Sequence, residues 1–266
     1  MNRARAEQNR PALDLFDPLS SAAQMRAEEL AAAGSLDSAG APGEDLLRRA
    51  QRTGYPVGAI AEAVVQSEGS PSDVVDFLKK RADHLWEELS SERYRDLGVG
   101  VAAMDGGPVY VLFVGATSGE TFARRTQAIR DRDRVRRELL IAINRYREAN
   151  RRPPLRIHPL LEQVAQRHAD DMLARGYYGH ASPEGAMVLE RTRKAGYAAN
   201  SVGENIAKGQ TSVQEVVDGW ISSPRHRKNI LDLLFQETGF GIAIGKMPEG
   251  DQVLWVHVFG QPRERP

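Results

Sequence analysis

Slid 142 positions along itself, this chain meets its own pattern: residues 1–89 align without a gap on residues 143–231. About a quarter of the aligned positions are identical, several times what ordinary composition produces by chance. The identities include Asn2/Asn144, Arg3/Arg145, Pro11/Pro153, Leu19/Leu161, Gln24/Gln166, Gly34/Gly176, Arg49/Arg191, Val74/Val216, Val75/Val217, Asp76/Asp218 and Leu89/Leu231. Beyond Leu89 small insertions shift the register, yet Leu97-Gly-Val-Gly-Val101 answers Thr238-Gly-Phe-Gly-Ile242, and Val109-Tyr-Val-Leu-Phe-Val-Gly115 answers Leu254-Trp-Val-His-Val-Phe-Gly260. A chain that reads the same twice must bury the same apolar faces twice, so the pattern is that of a tandem duplication.

Within the second copy, Val213, Val216, Val217, Trp220 and Ile221 recur at helical spacing and make one apolar face. Ser212 with Glu215 forms a capping box that starts this helix, and Pro224 ends it. In the first copy Ser70 is the cap, Pro71 suits the first helical position, and Val74, Val75 and Leu78 repeat the face. Each copy is predicted to run helix, helix, loop, capped helix and two strands, the second pair turning at 248–251. Pattern alone says α+β. The expected domains are 1–115, a linker and leading helix over 116–137, and 138–266, with the copies packed on each other. The stretch 116–120 reads as linker, and the seven arginines that follow, interleaved with Asp131 and Asp133, read as a solvated helix. Met1 aligns with Ile143, inside the first helix of the second copy, which leaves room upstream for further residues, an export signal among them.

With 36 basic and 36 acidic residues the charge is balanced, which favours neither a nucleic-acid partner nor an anionic membrane. No stretch reaches the roughly 18 to 20 apolar residues of a membrane span, and no signal-peptide core is visible. The chain has no cysteine, which excludes disulfides and thiolate chemistry. No Gly-x-Ser-x-Gly elbow supports a serine hydrolase.

The chemically capable residues concentrate in the second copy. Several motifs follow in order: Asn144-Arg145, Gly179-His180-Ala181-Ser182-Pro183, Gly203-Glu204-Asn205-Ile206, Trp220-Ile-Ser-Ser-Pro-Arg-His-Arg227, then Gly239-Phe240-Gly241 and a closing strand. As a set they resemble the bacterial branch of the CAP superfamily (cysteine-rich secretory, antigen 5 and pathogenesis-related 1 proteins), also called the SCP domain. The resemblance implies two tandem α/β/α sandwiches, each with a central antiparallel sheet. It also implies an extracellular or periplasmic home, and a cleft in the second copy formed by His180, Glu204, Asn205, Ser223 and His226.

Two imidazoles and a carboxylate suit a divalent cation such as zinc, so His180, Glu204 and His226 are the candidate metal ligands. Their spacing matches no compact zinc signature; convergence comes from the resemblance. Many eukaryotic members place a second Glu where this chain has Ser223, so a His/Glu tetrad is incomplete here. Two readings of Glu204 stay open: a ligand-binding residue, or a brace for the cleft. The sequence expects Glu204 in a Gly-Glu-Asn turn.

His168, on the apolar stripe of Leu161, Ala165 and Met172, reads as a packed helix residue. His257 reads as structural, and His158 has no visible partner. In the first copy the equivalents are Ser38, Glu62 and His84, which is expected to leave that copy without a site. The resulting expectation is a protein that binds a small ligand, an ion or a partner rather than a fast catalyst. A metal-dependent hydrolase acting on peptide or cell-wall substrates, with Glu204 as base, and a structural spacer are the alternatives.

Overall fold

The structure, a computed structural model, describes residues 1–36 and 45–263, so Ser38 lies outside the described residues. It divides into two compact units, Met1–Arg124 and Arg125–Pro266. Unit 1 runs α1 (Asn2–Ala6), β1 (Asp14–Leu15), α2 (Asp17–Ala33), α3 (Leu46–Arg52), β2 (Val57–Gln66), α4 (Pro71–Arg81), α5 (Asp83–Leu89), β3 (Asp96–Ala102) and β4 (Val109–Thr117). Helix α6 (Ser118–Thr126) follows. Unit 2 repeats the order with α7 (Arg132–Ala149), β5 (Arg156–Ile157), α8 (Pro159–Arg175), α9 (Val188–Lys194), β6 (Ala199–Lys208), α10 (Val213–Ser222), α11 (Pro224–Leu231), β7 (Glu237–Met247) and β8 (Gly250–Pro262).

The two sheets share one topology, β1-β3-β4-β2 and β5-β7-β8-β6. Each is antiparallel apart from its two-residue first strand, which pairs parallel to its neighbour. Helices cover both faces, giving the α/β/α sandwich. In β4, Val109, Val111 and Phe113 pack with Leu19, Ala23 and Leu30 of α2, while Tyr110, Leu112 and Val114 pack with Val74 and Leu78 of α4 and Trp86 of α5. A strand buried on both faces must be apolar throughout, which is why this run lacks the alternation of a half-solvated strand. In unit 2 the face toward α8 holds Leu254, Val256 and Val258. The other face stacks His257 against Trp220, Phe240 and Phe259.

Repeat identities have physical causes here. A side chain on Gly239 would put its Cβ 2.1 Å from the Glu162 nitrogen, and one on Gly241 would stand 2.2 Å from the Ala165 carbonyl oxygen, so α8 lies with its backbone on β7. Gly98 and Gly100 admit α2 to β3 in the same way. Gln166 clamps that seat: its amide donates to the Ile242 carbonyl at 2.9 Å and its carbonyl accepts from the Ile242 nitrogen at 3.2 Å. Gln24 does the same to Val101. Asn144 pairs both backbone groups of Leu155, as Asn2 does those of Leu13.

Arg147, fully buried, donates to four carbonyls, those of Pro153 (2.7 Å), Ile230 (2.6 Å), Asp232 (3.0 Å) and Phe235 (3.3 Å). It thereby ties α7 to the end of α11. Arg5 occupies the same place in unit 1, bound to the carbonyls of Pro11 and Ser91.

Four expectations change. Glu204 lies inside strand β6 rather than in a turn, as its counterpart Glu62 lies inside β2. Gly203 is needed there for close approach, since a Cβ would sit 2.8 Å from the Phe235 ring. Residues 116–120 are no linker: Ala116 and Thr117 finish β4, and a reciprocal pair between Thr117 and Glu120 caps α6. Pro224 ends α10 but also opens α11, which carries His226. Ser212 caps α10 as expected, while Glu215 reaches back to the Thr211 nitrogen rather than to Ser212.

Gly241→Ala is expected to destabilise the chain by about 1–3 kcal/mol or more, because the clash is with helix backbone that cannot rotate away. Urea unfolding monitored by circular dichroism measures it.

Candidate functional site

The site of unit 2 is built around a buried carboxylate. Glu204 projects from β6 with its side chain 2% exposed. Its Oε1 accepts from His180 Nδ1 at 2.8 Å, and its Oε2 accepts from Arg191 Nη2 at 2.5 Å. A charge this deep needs partners of opposite sign or strong donors, and both oxygens have one. His168 completes the surround, its Nε2 4.0 Å from Oε1 while donating to the Gly179 carbonyl at 2.9 Å. Burial lowers the pKa of His168, with Glu204 opposing, so the ring is neutral near pH 7.

Arg191 orders the loop before α9 as well. Its Nη1 donates to the carbonyls of His180 (2.8 Å) and Ala186 (2.7 Å). The guanidinium therefore fixes the backbone of His180 from one side while Glu204 fixes its ring from the other. With Nδ1 engaged, the His180 side chain still stands 44% exposed, and its Nε2 takes no part in the contact with Glu204.

His226 comes from α11, half-buried. Burial first, and then the charge of His180, lower its pKa. Asn205, fully buried, sets that helix against the strand: its amide donates to the His226 carbonyl at 3.0 Å and its carbonyl accepts from Asn229 at 2.8 Å. Asn229 also donates to the Glu204 carbonyl at 3.2 Å, covering an outward group of edge strand β6. Tyr178 stands near Glu204, which together with burial raises its pKa.

Glu204 and Asn205, mid-way along β6, thus hold the His180 side chain and the His226 carbonyl respectively. Ser223 joins α10 to α11 and hydrogen-bonds none of them through its hydroxyl. His257 is buried and structural as expected, its Nε2 donating to Thr238 Oγ1 at 2.8 Å, and His158 caps α8 by accepting from the Leu160 nitrogen. The reading from sequence passed over Arg191 as a site residue, although its identity with Arg49 was a signal. It also placed His168 only in the core, without its neighbour Glu204.

The donor set does not fit a divalent cation as it stands. Both oxygens of Glu204 are taken, one of them by a cation, and among the described residues no three His, Asp or Glu side chains are placed to hold an ion.

Unit 1 differs at each point. Glu62 pairs with Arg26, the residue at the place of His168, at 3.3 Å. Arg49 turns instead to Glu29, at 2.8 Å from both carboxylate oxygens. His84 is exposed on α5.

The family model described as CAP, Cysteine-rich secretory protein family, matches residues 1–115 and 140–259. Over 88 residues the chain is 39% identical to the uncharacterized protein YkwD of Bacillus subtilis, covering 33% of this chain and 34% of that protein. Over 80 residues it is 30% identical to the uncharacterized membrane protein YlbC of the same bacterium, covering 30% of this chain and 23% of that protein. The matched region is thus about a third or less of the length of these relatives. Among solved structures, an outer surface protein of Borrelia burgdorferi is similar at 23% identity, covering 48% of this chain and 92% of that one, with a TM-score of 0.42.

The buried histidines carry a pH dependence. His257, His168 and His226 all have folded-state pKa values lowered by burial, so below about pH 6.5 the unfolded chain binds more protons than the folded one. Stability is expected to be full above that pH and to fall as the solution is acidified through it. His257→Leu, which installs the residue unit 1 carries as Leu112, is expected to flatten the slope. Urea midpoints from about pH 7.5 to 5.5 in both proteins check this.

Proposed function

This chain belongs to the CAP, or cysteine-rich secretory protein, family, and on that premise we propose that it is a binding protein whose second unit takes a small organic ligand or a partner segment at the His180–His226 cleft. The observation that carries this reading is the division of labour around Glu204. The carboxylate is buried and takes a donor on each oxygen, from His180 and Arg191, whereas the His180 side chain is 44% exposed and its Nε2 takes no part in that contact. Glu204 is then the brace and the imidazoles are the contacts. Preorganised rings of this kind suit hydrogen-bonded recognition, because the cost of ordering them is met in the free protein.

The hydrolase reading asked Glu204 to act as general base on a metal-bound water. A carboxylate 2% exposed, with a guanidinium on one oxygen and an imidazole on the other, is shielded from solvent and already paired, which counts against its acting as base on a water. Unit 1 is read as a partner domain without a site, since Glu62 is met by Arg26 and His84 stands exposed. The family supports an extracellular or periplasmic setting, and among the described residues no helix is long and apolar enough to cross a membrane.

Imidazole-detected NMR of the full chain, screened against small organic acids, amides and short peptides, tests the reading. Hits are expected to move the signals of His180 and His226, with one site per chain; His226→Ala should abolish the response and His84→Ala leave it unchanged. Ligands that shift His84 instead, or a library that perturbs no imidazole, would remove the cleft as the binding site.

A further inference from the structure

The contact between Arg191 and Glu204 decides more than the shape of a loop. A carboxylate oxygen ligates zinc at roughly 2.0–2.2 Å, and ligation is opposed where the carboxylate is buried and a fixed cation already stands beside it. Glu204 has both disadvantages. Arg191 Nη2 lies 2.5 Å from Oε2, and its guanidinium stays charged at any pH a protein survives. A dication brought to the same carboxylate would face that charge at short range in a buried, weakly screened site.

Nor can Arg191 easily swing aside. Its side chain is 14% exposed and Nη1 is held by the carbonyls of His180 and Ala186, so withdrawal would break two hydrogen bonds and unpin the His180 backbone. The other oxygen is engaged as well: Oε1 accepts from His180 Nδ1, and an ion placed on it would have to displace that hydrogen bond in a buried site.

Unit 1 supports the same logic independently. The Glu62 carboxylate, on the equivalent strand, also carries a guanidinium, but from Arg26 on α2 rather than from α3. Two different helices supply a cation to the same strand position, which identifies the pairing itself, rather than one side chain, as the retained feature.

We propose that Arg191 is the fixed counter-cation of Glu204 and closes this carboxylate to divalent metal ions, so that the cleft of unit 2 works through its imidazoles without a bound cation. Arg191 is a positioning residue in this account and sets ligand class. The inference stands apart from the identity of any organic ligand, because its test uses the metal alone.

The experiment is calorimetric titration of the full chain with zinc at about pH 7.5, in the wild type, Arg191→Ala, Arg191→Lys, Glu204→Gln and the double variant Arg191→Ala/Glu204→Gln. Wild type and Glu204→Gln are expected to bind zinc equally weakly, since Glu204 is not a ligand. Arg191→Ala should gain a single zinc site at least about tenfold tighter, the scale on which neighbours of a metal ligand act. The gain should vanish in the double variant, and Arg191→Lys, which keeps the charge, should follow the wild type. A wild-type zinc affinity that drops tenfold in Glu204→Gln overturns the proposal, and so does a cooperatively folded Arg191→Ala that binds zinc no better than wild type. Should Arg191→Ala fail to fold, the wild type against Glu204→Gln decides the matter alone.

Discussion

Everything in each unit depends on a helix seated directly on a strand. Helix α8 rests its backbone on β7 because Gly239 and Gly241 leave no side chain between them, and Gln166 then bonds the strand as another strand would. Contact this close makes the position of α8 a property of the backbone rather than of adjustable side chains. His168, on that helix, is therefore delivered to a fixed place within 4.0 Å of Glu204 on β6. The same seat recurs in unit 1 through Gly98, Gly100 and Gln24, so both units keep a frame on which the site is optional.

The opposite face is held by a buried cation. Arg147 commits its guanidinium to backbone carbonyls of the segment that closes α11, which satisfies groups a helix end leaves open. Fixing the end of α11 fixes its start, where His226 stands, and Asn205 pins the same helix to β6. The cleft is thus assembled from elements on both faces of the sheet, meeting over the edge strand.

Charge placement separates the two units. In unit 2 a nearly inaccessible carboxylate takes one guanidinium and one imidazole, and the imidazole remains exposed on its far side. In unit 1 Glu62 is 25% exposed and is met by an arginine where unit 2 has a neutral histidine. Arg26 stands where unit 2 has His168 and pairs with the strand carboxylate Glu62, while Arg49 pairs with Glu29.

The duplication, the apolar faces of α4 and α10, the caps at Ser70 and Ser212 and the turn at 248–251 were legible in the chain itself, because periodicity, capping and turn chemistry act over a few neighbouring positions. Strand β6 was not legible: Gly203, Glu204 and Asn205 have the local chemistry of a turn, and only pairing with β8, far along the chain, makes them a strand. The opening of α11 at Pro224 escaped for a related reason, since a proline that stops one helix is equally suited to start another. Most of all, the partners of Glu204 were beyond local reading. Nothing near Arg191 in sequence announces a carboxylate, and His168 reads as core because it is core. The chain alone determined which residues could carry chemistry; folding decided that an arginine and a histidine reach the buried carboxylate first, since Coulombic contacts depend on distance in space and not along the chain.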